Sequence, residues 1–380
     1  MKLSIRFIEK MYYALRPDAI FVWRNEEVKK RLSWYYRVMR NEKPAKYLIC
    51  KRISADINLS DASEKELWNE HERLSEIFRD IYNKVRDNKI DFSNLKETKN
   101  NFLDLKVELV KRILTHCTFC ERRCGVNRAK GEKGFCRLDY KTYVASWFHH
   151  WGEEAPLVPS GTIFFGSCNF RCVFCQNYDI SQVNPLGGIE VTPKELAKIQ
   201  ATLRREGVRN INYVGGEPTP NLHTIVESLK YLDVNVPLLW NSNFYCSIEA
   251  MKILLEIVDI GLPDFKYGND DCAKRLSLVD NYFEIVSRNH KIMHDYGIDM
   301  IIRHLVMPNH IECCTKPILD WIAENLPRAL VNIMGQYRPE YLVAWNPDKY
   351  PDIARRPSSK EMEEAFEYAD KLGICYKPVS

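Results

Sequence analysis

From Gly161 onward the chain repeats one unit, a short apolar run followed by an amphipathic helix, and few architectures accept that order. Residues 161–167, 211–214, 238–240, 262–266, 300–306 and 329–334 read as strands. The helices between them carry their own start and stop signals. Thr192, Pro193 and Glu195 combine an N-cap, a first-turn proline and a capping-box acid, and Gly207 ends that helix. Ser358 and Glu361 start the last helix and Gly373 stops it. Strand–helix units in series imply parallel strands joined by right-handed crossovers. Six strands predict an α/β fold of the partial (β/α)6 barrel type, too few for a closed eight-stranded ring.

Two stretches precede the barrel, so three regions are expected: 1–115, 116–152 and 153–380. The first is helical and basic. Leu3, Phe7, Met11 and Leu15 form one stripe, Val28, Leu32, Tyr35 and Met39 a second, and a third helix follows the Ser63/Glu66 capping box. Residues 1–52 hold 14 Lys/Arg against 5 Asp/Glu. That excess reads first as a helical cap with its charges in water, and second as a footprint for nucleic acid or a membrane surface. No apolar run is long enough to span a bilayer and nothing resembles a signal peptide, so a cytoplasmic protein is expected.

Thirteen cysteines without a secretory signal point to metal ligation over disulfides, and seven of them fall between 117 and 175. Cys117, Cys120, Cys124 and Cys136, with Gly131 and Gly134 among them, make a four-thiolate knuckle. It suits zinc or an iron–sulfur cluster, with reduced packed thiols as the plainer alternative, and Arg122, Arg123 and Arg128 favour an anionic site. Of the remaining cysteines, Cys50, Cys246, Cys272, Cys313, Cys314 and Cys375, the adjacent Cys313-Cys314 pair at a helix start reads first as packing and second as thiols activated by the helix N-terminus. His149-His150 reads first as a polar loop pair and second as a ligand.

Cys168, Cys172 and Cys175 are spaced by three residues and then two, directly after the first barrel strand. That is the end where β/α barrels place their chemistry. Iron–sulfur clusters normally take four thiolates, so three on one loop leave one iron open to a ligand. A zinc loop, a ferredoxin-type loop or three buried thiols are the alternatives.

With Phe174 before its last cysteine, this loop resembles that of the radical S-adenosylmethionine (SAM) superfamily, in particular the branch of pyruvate formate-lyase activating enzyme. The resemblance covers about residues 161–334. It implies a [4Fe-4S] cluster on the three cysteines and SAM on the open iron. Reductive cleavage of SAM would then release a 5′-deoxyadenosyl radical that abstracts hydrogen. Gly215, Gly216 and Glu217 match the family's Gly-Gly-Glu motif, which contacts the SAM amino group. Ser242 and Asn243 match its Asp-Thr-Asn-Gly, Asp264 and Lys266 its Asp-Leu-Lys, and His304 its His-Val-Val-Pro-Gly. By resemblance Ser242 and Asn243 contact SAM, and Lys266 and His304 reach toward it. The plainer readings are a surface salt-bridge partner for Lys266 and a hydrogen-bonded core residue for His304. Two departures are plain: Asn241 replaces an acid that helps bind a monovalent cation, and Phe244 replaces a glycine.

The knuckle resembles one found before the barrel in a group of activase-like relatives, together with a stretch like Gly152-Glu153-Glu154. The branch implies a protein or peptide substrate, hydrogen being taken from a glycine, and an electron donor such as ferredoxin or flavodoxin. RNA modification through the basic first region, or a non-catalytic iron–sulfur protein, are the other classes. Arg338, after the last strand, reads as a surface residue or a contact for an anionic substrate group.

Overall fold

A computed structural model describes residues 15–380. The stripe at Leu3, Phe7 and Met11 lies outside the described residues. Eight strands form one sheet: β1 Thr142–His150, β2 Ser160–Phe165, β3 Ile189–Val191, β4 Asn210–Gly215, β5 Leu238–Ser242, β6 Ile260–Pro263, β7 Asp299–Leu305 and β8 Leu330–Met334. Their order is β3-β1-β2-β4-β5-β6-β7-β8, and the sheet does not close. The six expected strands are all present and run parallel from β2 to β8. The other two were not anticipated. β1 pairs antiparallel with both β2 and β3, so a strand inside the cysteine-rich stretch extends the barrel edge.

The helix signals act as read. Thr192/Glu195, Ser63/Glu66 and Ser358/Glu361 all make reciprocal capping boxes. Two helices carry weaker sequence signals: Phe102–Thr115, capped by Asn101, and Asp270–Ser277, capped by Asn269. The second becomes important at the site.

The first region is built into the barrel's amino-terminal side. Trp34 Nε1 and the Lys46 N–H donate to Asp259 Oδ1 at 2.8 and 3.0 Å, and the Tyr35 N–H donates to Asp299 Oδ2 at 2.8 Å. Lys106 and Glu256, both fully buried, meet at 2.7 Å. Many basic residues of 15–52 have internal partners. Lys51 donates to the Leu232 carbonyl, Arg37 to that of Arg86 and Arg31 to that of Pro327, and burial lowers Lys46 to about 8. Among the described residues no helix is long and apolar enough to cross a membrane.

Candidate functional site

The loop after β2 leaves the sheet through Ser167, whose φ of +74° turns the chain across the strand ends. It then leans on helix Asp270–Ser277. The Arg171 and Val173 N–H groups donate to the carbonyls of Ser277 and Leu276 at 3.0 and 2.9 Å. Cys168 is buried, and Cys172 and Cys175 are half-buried. Each sulfur has polar company: the Phe170 N–H lies 3.3 Å from Cys168 Sγ, the Ser277 hydroxyl 3.0 Å from Cys172 Sγ, and Ser181 Oγ 3.4 Å from Cys175 Sγ. Burial raises all three thiols, Cys172 to about 11. Left to themselves they stay protonated, and a bound metal is what would make them thiolates. Three sulfurs with hydrogen-bond donors beside them suit an iron–sulfur cluster, whose sulfurs accept such bonds.

Lys266 belongs to the same constellation. Its ammonium pairs with Asp264 and lies near Cys172 and Cys168. Phe174 stands edge-on to Tyr337 at 5.6 Å.

The loops after β2, β4 and β5 are tied together through Glu217. Its carboxylate accepts from Ser242 Oγ at 2.6 Å, the Asn243 N–H at 2.8 Å and Thr219 Oγ1 at 2.5 Å. Asn243 Nδ2 donates to Asn169 Oδ1 at 2.6 Å and stands 3.7 Å from Cys168 Sγ. Burial pushes the Glu217 carboxyl up, and these bonds oppose the shift. The carboxylate is thus already engaged by its own chain. The glycines also act within the chain: a Cβ on Gly216 would lie 1.9 Å from the Ser167 carbonyl oxygen, and Gly215 has φ +120° against the backbone of Phe165. They are needed first for the two loops to meet. Phe244 has a left-handed φ of +62°, and its ring is buried against His290.

His304 is fully buried, with Nδ1 2.8 Å from the Phe265 carbonyl and Nε2 2.9 Å from Thr315 Oγ1, so both ring nitrogens have partners within the chain. Neighbours on β7 face opposite ways. Arg303, one residue earlier, faces the barrel interior. It donates to Glu154 at 2.7 Å, also pairs with Glu153, and reaches Asn241 Oδ1 at 3.5 Å. Asn212 on β4 and Asn332 on β8 donate to Glu153 and Glu154 at 2.9 and 2.7 Å. Burial raises Glu153, whereas Arg303 overcomes the same burial at Glu154 and holds it low. The Gly152-Glu153-Glu154 stretch was the sequence signal for this network.

The knuckle sits directly beside the loop. Cys117, Cys120, Cys124 and Cys136 line one cavity with Arg122, Arg128 and Asn169. A hairpin sets it up: the Cys117 N–H donates to the Val126 carbonyl at 3.0 Å and the Gly125 N–H to that of Cys117 at 3.1 Å. Burial raises Cys120 and Cys136. Phe135 is covered by Arg122 at 3.9 Å and Arg171 at 4.3 Å, and Ser167 bonds the Cys136 carbonyl, so knuckle and loop share a wall. Arg338 pairs with Glu340 at 3.0 Å on the surface. Beyond Cys175 an aromatic lip rises: Tyr178 stacks on Tyr341 at 4.6 Å, and Trp345, 60% exposed, stands edge-on to both.

Residues 162–322 match the family model of the radical SAM superfamily. An uncharacterized protein of Methanocaldococcus jannaschii is 47% identical over 349 residues, which is 90% of this chain and 98% of its own length. A probable GTP 3′,8-cyclase of Pyrococcus horikoshii is 22% identical over 213 residues, 53% of this chain and 67% of that one. Among solved structures, Streptococcus suis SuiB bound to the precursor peptide SuiA aligns with a TM-score of 0.39 and 17% identity, over 54% of this chain and 43% of that one. With the family model laid over β2 to β7 and the cysteine loop, the chain belongs to the radical SAM superfamily, a family of enzymes whose domain implies a [4Fe-4S] cluster and SAM.

Proposed function

We propose that the chain reductively cleaves SAM at a cluster held by Cys168, Cys172 and Cys175, and turns the resulting radical on a protein or peptide. The observation that carries the first half is the convergence of three sulfurs, Lys266 and Asn243 at the carboxyl ends of β2, β5 and β6. A cluster and SAM bound there supply the one-electron cleavage of the sulfonium. The chain's own residues then have separate tasks. Ser277, Ser181 and the Phe170 N–H hold the sulfurs, Glu217 orders the two SAM-side loops, and the Lys266–Asp264 pair sets the charge beside them. The knuckle is proposed to bind a second metal, zinc or a cluster.

The second half rests on the lip of Tyr178, Tyr341 and Trp345, a rigid amphipathic surface of the kind that takes up peptide chain, and on the open sheet. The activase-like branch and its glycine chemistry are part of this reading.

The test is anaerobic. Iron, sulfide and zinc are counted on the iron-reconstituted chain, then SAM and a strong reductant are added and 5′-deoxyadenosine is assayed. Product that vanishes in Cys172→Ala, with the knuckle metal retained, is the expected result. Parental turnover in that variant would remove the loop from the chemistry. For the substrate, extract proteins grown on α-deuterated glycine should pass deuterium into 5′-deoxyadenosine. Unlabelled product would move the abstracted hydrogen off glycine.

A further inference from the structure

Cys272, His310, Cys313 and Cys314 place their ligand atoms all within 4.8 Å of one another. Local structure brings them there. Cys272 is the third residue of helix Asp270–Ser277, and its N–H donates to the capping Asn269 side chain at 2.8 Å. His310 opens the turn after β7. Residues Ile311–Thr315 wind there so widely that the N–H groups of Cys314 and Thr315 both reach the His310 carbonyl, at 3.0 and 3.1 Å. The two adjacent thiols are thereby folded back over the His310 ring.

The distances suit a four-coordinate ion. His310 Nδ1 is 3.6 Å from Cys272 Sγ, 3.3 Å from Cys313 Sγ and 3.7 Å from Cys314 Sγ, and the last two sulfurs are 3.8 Å apart. A zinc ion with bonds of about 2.3 Å to sulfur and about 2.0 Å to nitrogen spaces its ligands by roughly 3.5–3.8 Å. A cluster of several irons and sulfides would hold thiols farther apart. The outer groups are also in place. His310 Nε2 lies 3.0 Å from Asp352 Oδ2, which selects Nδ1 as the free nitrogen, and Arg275 holds Asp352. Asn269 Nδ2 sits 3.8 Å from Cys314 Sγ. His310 and Cys314 are buried while Cys313 is exposed, so an ion has a way in.

We propose that these four residues bind one zinc ion in a closed three-sulfur, one-nitrogen site. It joins the segment after β6 to the turn after β7. The helix it pins is the one whose Leu276 and Ser277 carbonyls hold the cysteine loop and whose Ser277 hydroxyl meets Cys172. The site is structural, because all four positions are taken by protein. It does not depend on SAM chemistry.

The test uses the full chain. Zinc and iron per chain are measured by elemental analysis after refolding with excess zinc, for the parent and for Cys313→Ala and Cys272→Ala. Each variant should hold one zinc fewer than the parent, whatever the knuckle carries. Asp352→Asn should keep the ion but weaken its affinity about 10- to 100-fold in chelator competition. Equal zinc in parent and both variants, or a loss of iron instead, would overturn the site. If a variant does not fold, zinc-edge X-ray absorption on the parent decides: nitrogen in the shell is expected, and sulfur alone rejects the proposal.

Discussion

The Ser277 hydroxyl stands 3.0 Å from Cys172 Sγ, so the end of helix Asp270–Ser277 touches the middle sulfur of the cysteine loop. Tyr267 bonds the same hydroxyl from behind and aligns it. A donor to a ligating sulfur stabilises the reduced, more negative cluster. Ser277→Ala should therefore leave the iron content unchanged and lower the reduction potential, on the order of tens of millivolts. A redox titration followed by electron paramagnetic resonance reads this, and an unshifted potential would refute it.

Gly216→Ala tests the meeting of the loops after β2 and β4. The new Cβ would lie 1.9 Å from a backbone oxygen, an atom that cannot step aside as a side chain can. The variant should lose about 2 kcal/mol of stability and hold iron poorly after reconstitution. Parental melting and iron content together would show that the loops have slack.

Lys106→Met should be strongly destabilising. It leaves the fully buried Glu256 carboxylate without the ammonium 2.7 Å away. Removing one partner of a buried pair costs about 3–5 kcal/mol. Denaturant unfolding should show this as one shifted transition, because the first region and the barrel share a core. Two separate transitions, with the barrel unmoved, would contradict that.

Stability should fall on acidification. Burial depresses His71 and His223 to about 3, and His290 and His304 to about 4, from an ordinary 6.5. Each is neutral when folded, so below 6.5 the unfolded chain binds the extra proton. The stability is complete above that pH and is lost as pH falls toward 4. Each histidine contributes up to about 1.4 kcal/mol per pH unit. His304→Gln should flatten the profile between pH 6.5 and 4 by about one proton. An unchanged slope would mean that His304 is charged in the fold.

The cysteine loop and the six parallel strands were legible because their signals are local. Cys168, Cys172 and Cys175 fall within eight residues, and each capping box spans four. The antiparallel strand β1 was not, since its pairing partners lie elsewhere in the chain and it sits in a stretch dominated by cysteines. Arg303 shows a finer limit. No motif singled it out, yet the alternation of side chains along β7 turns it to Glu153, Glu154 and Asn241.

By itself, then, the sequence determined the chemistry available: three clustered thiols, a barrel end to mount them on, and a glycine pair where two loops must touch. Such features depend on residue spacing and backbone freedom, which neighbours in the chain carry. Only the tertiary structure decided which distant residues meet. Cys272 and the Cys313-Cys314 pair are about 40 residues apart and unremarkable in the sequence. They come within ligand distance of His310 because β6 and β7 lie side by side and their outgoing segments share one end of the sheet. That proximity is a property of strand order, which no local pattern encodes.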